Sequence, residues 1–187
     1  NTYHIGKWHI SKNPKDFGFD VNIGGSDAGF PKSYFPPYKN IDVQGSSAAY
    51  LTDVLTEKAV TLMTASKESF FMYYATYAVH LPINPIPELV PKYLKRESKL
   101  GQTNAKYASM VENLDNNIGV LIKGLKDAGK FENTLIIFTS DNGGLYGITS
   151  QKPLRSGKGS YYEGGIKVPF FFVWQNKISK NTQSSRL

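Results

Sequence analysis

An apolar run, Leu135-Ile136-Ile137-Phe138-Thr139-Ser140, stops abruptly at Asp141-Asn142-Gly143-Gly144. Its β-branched and aromatic content predicts a strand covered on both faces, as in a parallel sheet. The segment before it, Asn104 to Ala128, repeats apolar residues every three or four positions: Tyr107, Met110, Val111, Leu114, Ile118, Leu121, Ile122 and Leu125. That spacing predicts a helix, and Gly129 suits the residue just past its end. A long helix running into a buried strand predicts an α/β chain with a layered, mostly parallel sheet flanked by helices. Function in such sheets gathers at the carboxyl ends of strands. Asp141 and Asn142 fall there, and both carry the oxygen donors that hard cations accept. The paired glycines let the backbone turn sharply and approach a ligand closely. A second loop follows, Lys152-Pro153-Leu154-Arg155-Ser156-Gly157-Lys158-Gly159-Ser160, then Tyr161-Tyr162-Glu163-Gly164-Gly165. Small residues around Lys158 leave its ammonium room to reach an anion; Arg155 either buttresses this loop or contacts the same anion.

The remaining segments fit the same architecture. Tyr50 to Ala65 has one apolar face, Leu51, Val54, Leu55, Ala59, Leu62 and Met63, and predicts a helix laid on the sheet. Ser69 to Tyr77 predicts a strand, with His80 just past its carboxyl end. Pro169 to Trp174 predicts another strand, and a short helix is expected around Pro87 to Lys95. Gln175 to Leu187 is polar and expected to be peripheral. Near the start stands Gly6-Lys7-Trp8-His9-Ile10. On an extended segment, residues two apart point the same way, so Lys7 and His9 are expected to line one pocket. Asn13 to Asn40 is rich in glycine and proline and reads as a long loop, expected near the site mouth. Asp27, Tyr34, Phe35 and Tyr38 either face a sugar or pack the loop. Asp115-Asn116-Asn117 on the long helix is expected to face solvent or cap a loop.

Composition narrows the chemistry. There is no cysteine, which removes disulfides, thiolate metal sites and cysteine nucleophiles from these 187 residues. No stretch of about 18 apolar residues occurs, so no membrane-spanning helix is expected. The net charge of +7, from 22 Lys and Arg against 15 Asp and Glu, favours anionic partners. Nucleic acid and a sulfated or phosphorylated substrate are both candidates, but the lysines are scattered, not stacked on one helix, so most of the charge reads as a solvated surface and no nucleic-acid partner is expected.

Two motifs in order carry a resemblance. Asp141-Asn142-Gly143-Gly144, then Gly157-Lys158-Gly159-x-x-Tyr162-Glu163-Gly164-Gly165-x-x-Val168-Pro169, resembles the sulfatase family of the alkaline-phosphatase superfamily. Gly6-Lys7-Trp8-His9 upstream, and His80 before a proline-containing loop, are similar to that family too. The resemblance implies a sulfuric ester hydrolase acting on a sulfated sugar or aryl sulfate. It implies Asp141 and Asn142 as ligands of Ca2+ (Mg2+ being possible). Lys7 and His9 would contact the nucleophile region, and His80, Lys158 and Arg155 the sulfate. His80 is also placed to protonate the leaving oxygen, since imidazole's ordinary pKa of about 6.5 suits that task. The family's nucleophile is formylglycine, made from the first residue of a Cys- or Ser-x-Pro-x-Arg segment. No such segment occurs here. The expectation is therefore a fragment, 1–187, of a catalytic domain whose N-terminal part is missing, inactive in isolation. Two other readings stay open: a phosphate-ester hydrolase of the same superfamily, and a non-catalytic anion-binding module. Family analogy implies a periplasmic or secreted location.

Overall fold

The computed structural model describes residues 1–45 and 49–184. They form two compact units, Asn1–Glu97 with Asn104–Leu125, and Ser98–Thr103 with the chain from Lys126 onward. Each is described by itself.

The first unit is built on a parallel sheet of three strands: β1 (Thr2–Gly6), β2 (Val21–Ile23) and β3 (Phe71–Ala75), in the order β2-β1-β3. The register sets Ile5 opposite Ile23 and Tyr74, and Gly6 opposite Ala75. Alternation then sends Ile5, Met72 and Tyr74 to one side, where helix α1 (Leu51–Ala65) lies with Leu51, Val54, Leu55, Ala59 and Met63 buried. Thr56 and Tyr74 exchange a hydroxyl hydrogen bond at 2.8 Å across this contact. The expected α1 and β3 both form. β2 has only three residues inside a glycine-rich stretch, too short for its pattern to rise above loop composition. The rest of Asn13 to Asn40 is irregular as expected, apart from a 3₁₀ turn, Pro14–Phe17, whose N-cap Asn13 accepts from the Lys15 amide.

Helix α2 (Val90–Leu94) continues a 3₁₀ turn at Pro87–Leu89, where a short helix was expected. Helix α3 spans Ala105–Asp127, and Gly129 sits beyond it at φ +66°. One expectation fails on α3. Asn117 is buried, not solvent-facing. Its amide and that of Asn113 donate to Asp53 Oδ1 on α1, at 2.7 and 2.8 Å. The apolar period places α3's packed face, but it cannot reveal that a carboxylate on another helix rewards an amide there.

Tyrosine hydroxyls fasten the irregular segments. Tyr34 donates to the Tyr77 and His80 carbonyls at 2.6 and 3.0 Å, Tyr77 to Gly24 at 2.8 Å, Tyr50 to Asn84 at 2.8 Å and Tyr38 to Ala49 at 2.8 Å. Tyr34 and Tyr38 are thus core residues, and Phe35 packs edge-on against Tyr50. These three rings serve the loop's packing.

The second unit holds β4 (Ile136–Thr139) and β5 (Phe170–Val173), paired antiparallel with Ile136 opposite Val173. Both strands were expected, but β4 was expected to be covered on both faces within a parallel sheet. Ile137 and Phe171 are instead 54% and 58% exposed. Among the described residues these strands pair only with each other. An apolar run signals that burial suits it, not what supplies the cover. Helix α4 is a single turn, Glu163–Ile166. Residues 175–184 are largely exposed; the last three of the expected peripheral tail lie outside the described residues. Among the described residues no helix is long and apolar enough to cross a membrane.

Candidate active site

Two groups of expected site residues lie in the first unit. β1 and β3 are parallel, so their carboxyl ends share one sheet edge. Lys7 follows β1 at that edge and donates its amide to the Ala75 carbonyl at the end of β3. The chain leaving β3 turns through Tyr77 to His80, whose amide donates back to the Tyr77 carbonyl at 2.9 Å. The strand ends at Gly6, so Lys7 and His9 do not lie on it. His9 has φ +63°, in the left-handed region. Alternation along an extended strand therefore does not govern where their side chains point.

What does gather the histidines is the loop from Gly24 to Phe30. The His9 amide donates to the Ser26 carbonyl at 2.8 Å. A Cβ on Gly29 would stand 2.6 Å from the His9 ring, so the backbone there lies flat against the imidazole. The next residue, Phe30, stacks on the His80 ring with centroids 5.6 Å apart and planes 10° from parallel. One short loop thus touches both histidines. Phe30, Ser26 and Gly29 were not singled out from the sequence; glycines and aromatics in a loop look alike whether they serve packing or a site.

The second unit collects the others. Gly143 donates its amide to the Gly165 carbonyl at 2.9 Å, and Lys158 donates its amide to the Gly144 carbonyl at 2.9 Å. Gly164 donates to the Arg155 carbonyl at 2.9 Å. Both motifs therefore interlock backbone to backbone, with Asn142 and Lys158 on tied loops. A Cβ on Gly143 would fall 1.8 Å from the Gly164 carbonyl oxygen, so no side chain is tolerated there. Lys158 is half-buried, whereas Asp141 is exposed. The Arg155 guanidinium lies over the Tyr162 ring, 3.8 Å from its centroid, which favours the buttressing role for this residue.

As a cation site the donors are of the right kind but too few. The Asn142 amide donates to the Gly143 carbonyl at 2.8 Å, which leaves its oxygen to act as a donor beside Asp141. Among the described residues no three His, Cys, Asp or Glu side chains converge as a metal cluster. Calcium takes six to eight oxygens. Asp141 and Asn142 by themselves do not fit it.

The family model named Sulfatase matches residues 1–187. The chain belongs to the sulfatase family. A sulfatase of Formosa agariphila is 36% identical over 171 residues, covering 83% of this chain and 31% of that protein. The N-acetylgalactosamine-6-O-sulfatase of Bacteroides thetaiotaomicron is 33% identical, covering 72% of this chain and 27% of its own length. Among solved structures, Ps i-CgsB in complex with k-i-k-neocarrahexaose has a TM-score of 0.75 at 32% identity, covering 94% of this chain and 45% of that one. A protein of the alkaline phosphatase superfamily from Vibrio parahaemolyticus, at 16% identity and TM-score 0.54, shares the fold. This sulfatase chain spans about a third of the curated relatives it matches.

Proposed function

We propose that this chain forms the anion-holding part of a sulfuric ester hydrolase acting on a sulfated sugar or aryl sulfate. One observation carries the reading: a single loop, Gly24 to Phe30, lies against both His9 and His80. The proposed roles follow from what a sulfate ester needs. Its oxygens carry negative charge, and more gathers on the leaving oxygen as the S–O bond breaks. Lys7 in the first unit and Lys158 in the second are each suited to contact a sulfate oxygen as a point charge. His80 delivers a proton to the leaving oxygen, with Phe30 fixing its ring plane. His9 contacts the attacking group. Asp141 and Asn142 would supply only part of the oxygen set that a divalent cation, calcium or magnesium, takes, and Arg155 supports the Lys158 loop. Relatives named for N-acetylgalactosamine-6-sulfate and a structure holding a neocarrahexaose support a sulfated glycan as the substrate class. The periplasmic or secreted location rests on family analogy alone.

The sequence has neither cysteine nor a Ser-x-Pro-x-Arg segment. This chain is therefore expected to bind the anion and turn over little or no ester. The test follows amide and imidazole resonances of the chain on titration with galactose 6-sulfate. A chloride titration at matched ionic strength serves as reference, with an aryl sulfate assay run in parallel. Saturable shifts at Lys7, His9, His80 and Lys158, without turnover, are expected. Shifts spread over scattered surface lysines alone would overturn the reading.

A further inference from the structure

His4 is fully buried at 0% exposure, yet neither of its ring nitrogens faces a donor. Nδ1 lies 3.2 Å from Asn22 Oδ1 and Nε2 lies 3.1 Å from the Lys7 carbonyl oxygen. The Asn22 amide cannot be turned round to help. Its Oδ1 accepts from the Gly25 amide at 3.0 Å and its Nδ2 donates to the Gly25 carbonyl at 2.8 Å. A neutral imidazole has one N–H to give. Asn22 Oδ1 already has the Gly25 donor, so the ring proton belongs on Nε2, toward Lys7. Trp8, Phe19 and Tyr73 hold the ring in place with centroids at 5.2, 5.5 and 5.7 Å. Of these neighbours only Tyr73 on β3 is titratable; β2 offers Asn22, and β1's own continuation offers the Lys7 carbonyl.

The reach of this ring is longer than its contacts. The ring also packs against the turn at Gly25, where a Cβ would fall 2.5 Å from it. The next residue, Ser26, accepts the His9 amide. Lys7 and His9 therefore both depend on this imidazole, one by the carbonyl that takes its proton and the other through the Gly25–Ser26 turn packed against the ring. We infer that His4 is the positioning residue of the Lys7–His9 segment, acting through an Nε2–H donated to the Lys7 carbonyl. The inference rests on the sulfatase reading only for what Lys7 and His9 do once placed.

The chain has three histidines, so long-range 1H–15N spectra give three ring systems. The wild-type His4 ring is expected in the Nε2–H form. His4→Gln, whose amide nitrogen reaches where Nε2 stands, is expected to keep the Lys7, His9 and Ser26 amide shifts and the His9 titration near wild type. His4→Asn, which mimics Nδ1 instead, and His4→Phe, which keeps the volume but donates nothing, are expected to move all four. An Nδ1–H ring in the wild type would overturn the inference, as would equal behaviour of the Gln and Phe variants. If the Phe variant fails to fold, the wild-type tautomer and the Gln–Asn pair decide. No sulfate enters this measurement, so its failure is separate from failure of the hydrolase reading.

Discussion

Removing one oxygen, Tyr34→Phe, tests how the His80 segment is held. The Tyr34 side chain is fully buried, and its hydroxyl lies 2.6 Å from the Tyr77 carbonyl and 3.0 Å from that of His80. Burial pushes this phenol far above its ordinary range, so the hydroxyl stays a donor at every working pH. Phenylalanine keeps the ring stacked on Tyr50, centroids 5.4 Å apart. Only the proton and the oxygen are lost. The Tyr77 carbonyl still accepts the His80 amide, and the contact to the His80 carbonyl is part-buried. Losing the buried donor shared by these two carbonyls costs about 1–3 kcal/mol. We therefore expect about 2 kcal/mol, which lowers the melting temperature by roughly 4–8 °C for a chain of this size. Urea unfolding followed by far-UV circular dichroism measures the first quantity, and a thermal scan the second. The His80 ring resonances should shift as well, since the backbone that carries the imidazole loses its anchor. A loss below about 0.5 kcal/mol, with His80 resonances unchanged, would refute this account of the turn.

Three further outcomes are expected. Gly143→Ala places a methyl 1.8 Å from the Gly164 carbonyl oxygen; it should loosen the second unit, seen as faster amide exchange from Asn142 to Gly165, and exchange like wild type would contradict the interlock. Asn117→Ala removes one of two amides on Asp53 Oδ1; bonds to charged groups are worth about 1.5–3 kcal/mol, and Asp53's exposure sets the lower end as the expectation in urea unfolding. Stability should also fall with acid. Burial holds the His4 ring below its ordinary pKa, outweighing its contacts to Asn22 and Lys7, so the unfolded chain binds the proton first. Its contribution is full above about pH 6.5 and is lost as pH falls below that. The Thr2 amide and hydroxyl hold Asp20 below the usual carboxylate range, adding a loss at still lower pH. Urea midpoints from pH 8 to 2 should show both steps, with the first absent in His4→Gln.

The elements that were legible in the sequence are the ones with length and period. α1, α3 and β3 form where their apolar spacing places them, because each buries a continuous stripe within its own neighbourhood. The glycine motifs were legible for a different reason: Gly143 and Gly164 admit no side chain, so chemistry is written into the residue type. What escaped was pairing at a distance. Nothing in Asn117 announces Asp53, and nothing in Phe30 announces His80. β4 shows the same limit, since Ile137 and Phe138 declare an apolar strand but not its antiparallel partner or its exposure. Lys7 and His9 were singled out partly through a strand argument, which the turn at His9 overrides.

The central proposal is that Lys7 and His80, just beyond the carboxyl ends of β1 and β3 in the first unit, hold the same anion. Calorimetric titration of sulfate into the chain, beside Lys7→Ala and His80→Ala, tests it most directly. Saturable binding to the wild type, weakened about tenfold or more by either substitution and by little more in the double variant, is the expected result. Binding that survives either substitution unchanged would contradict it.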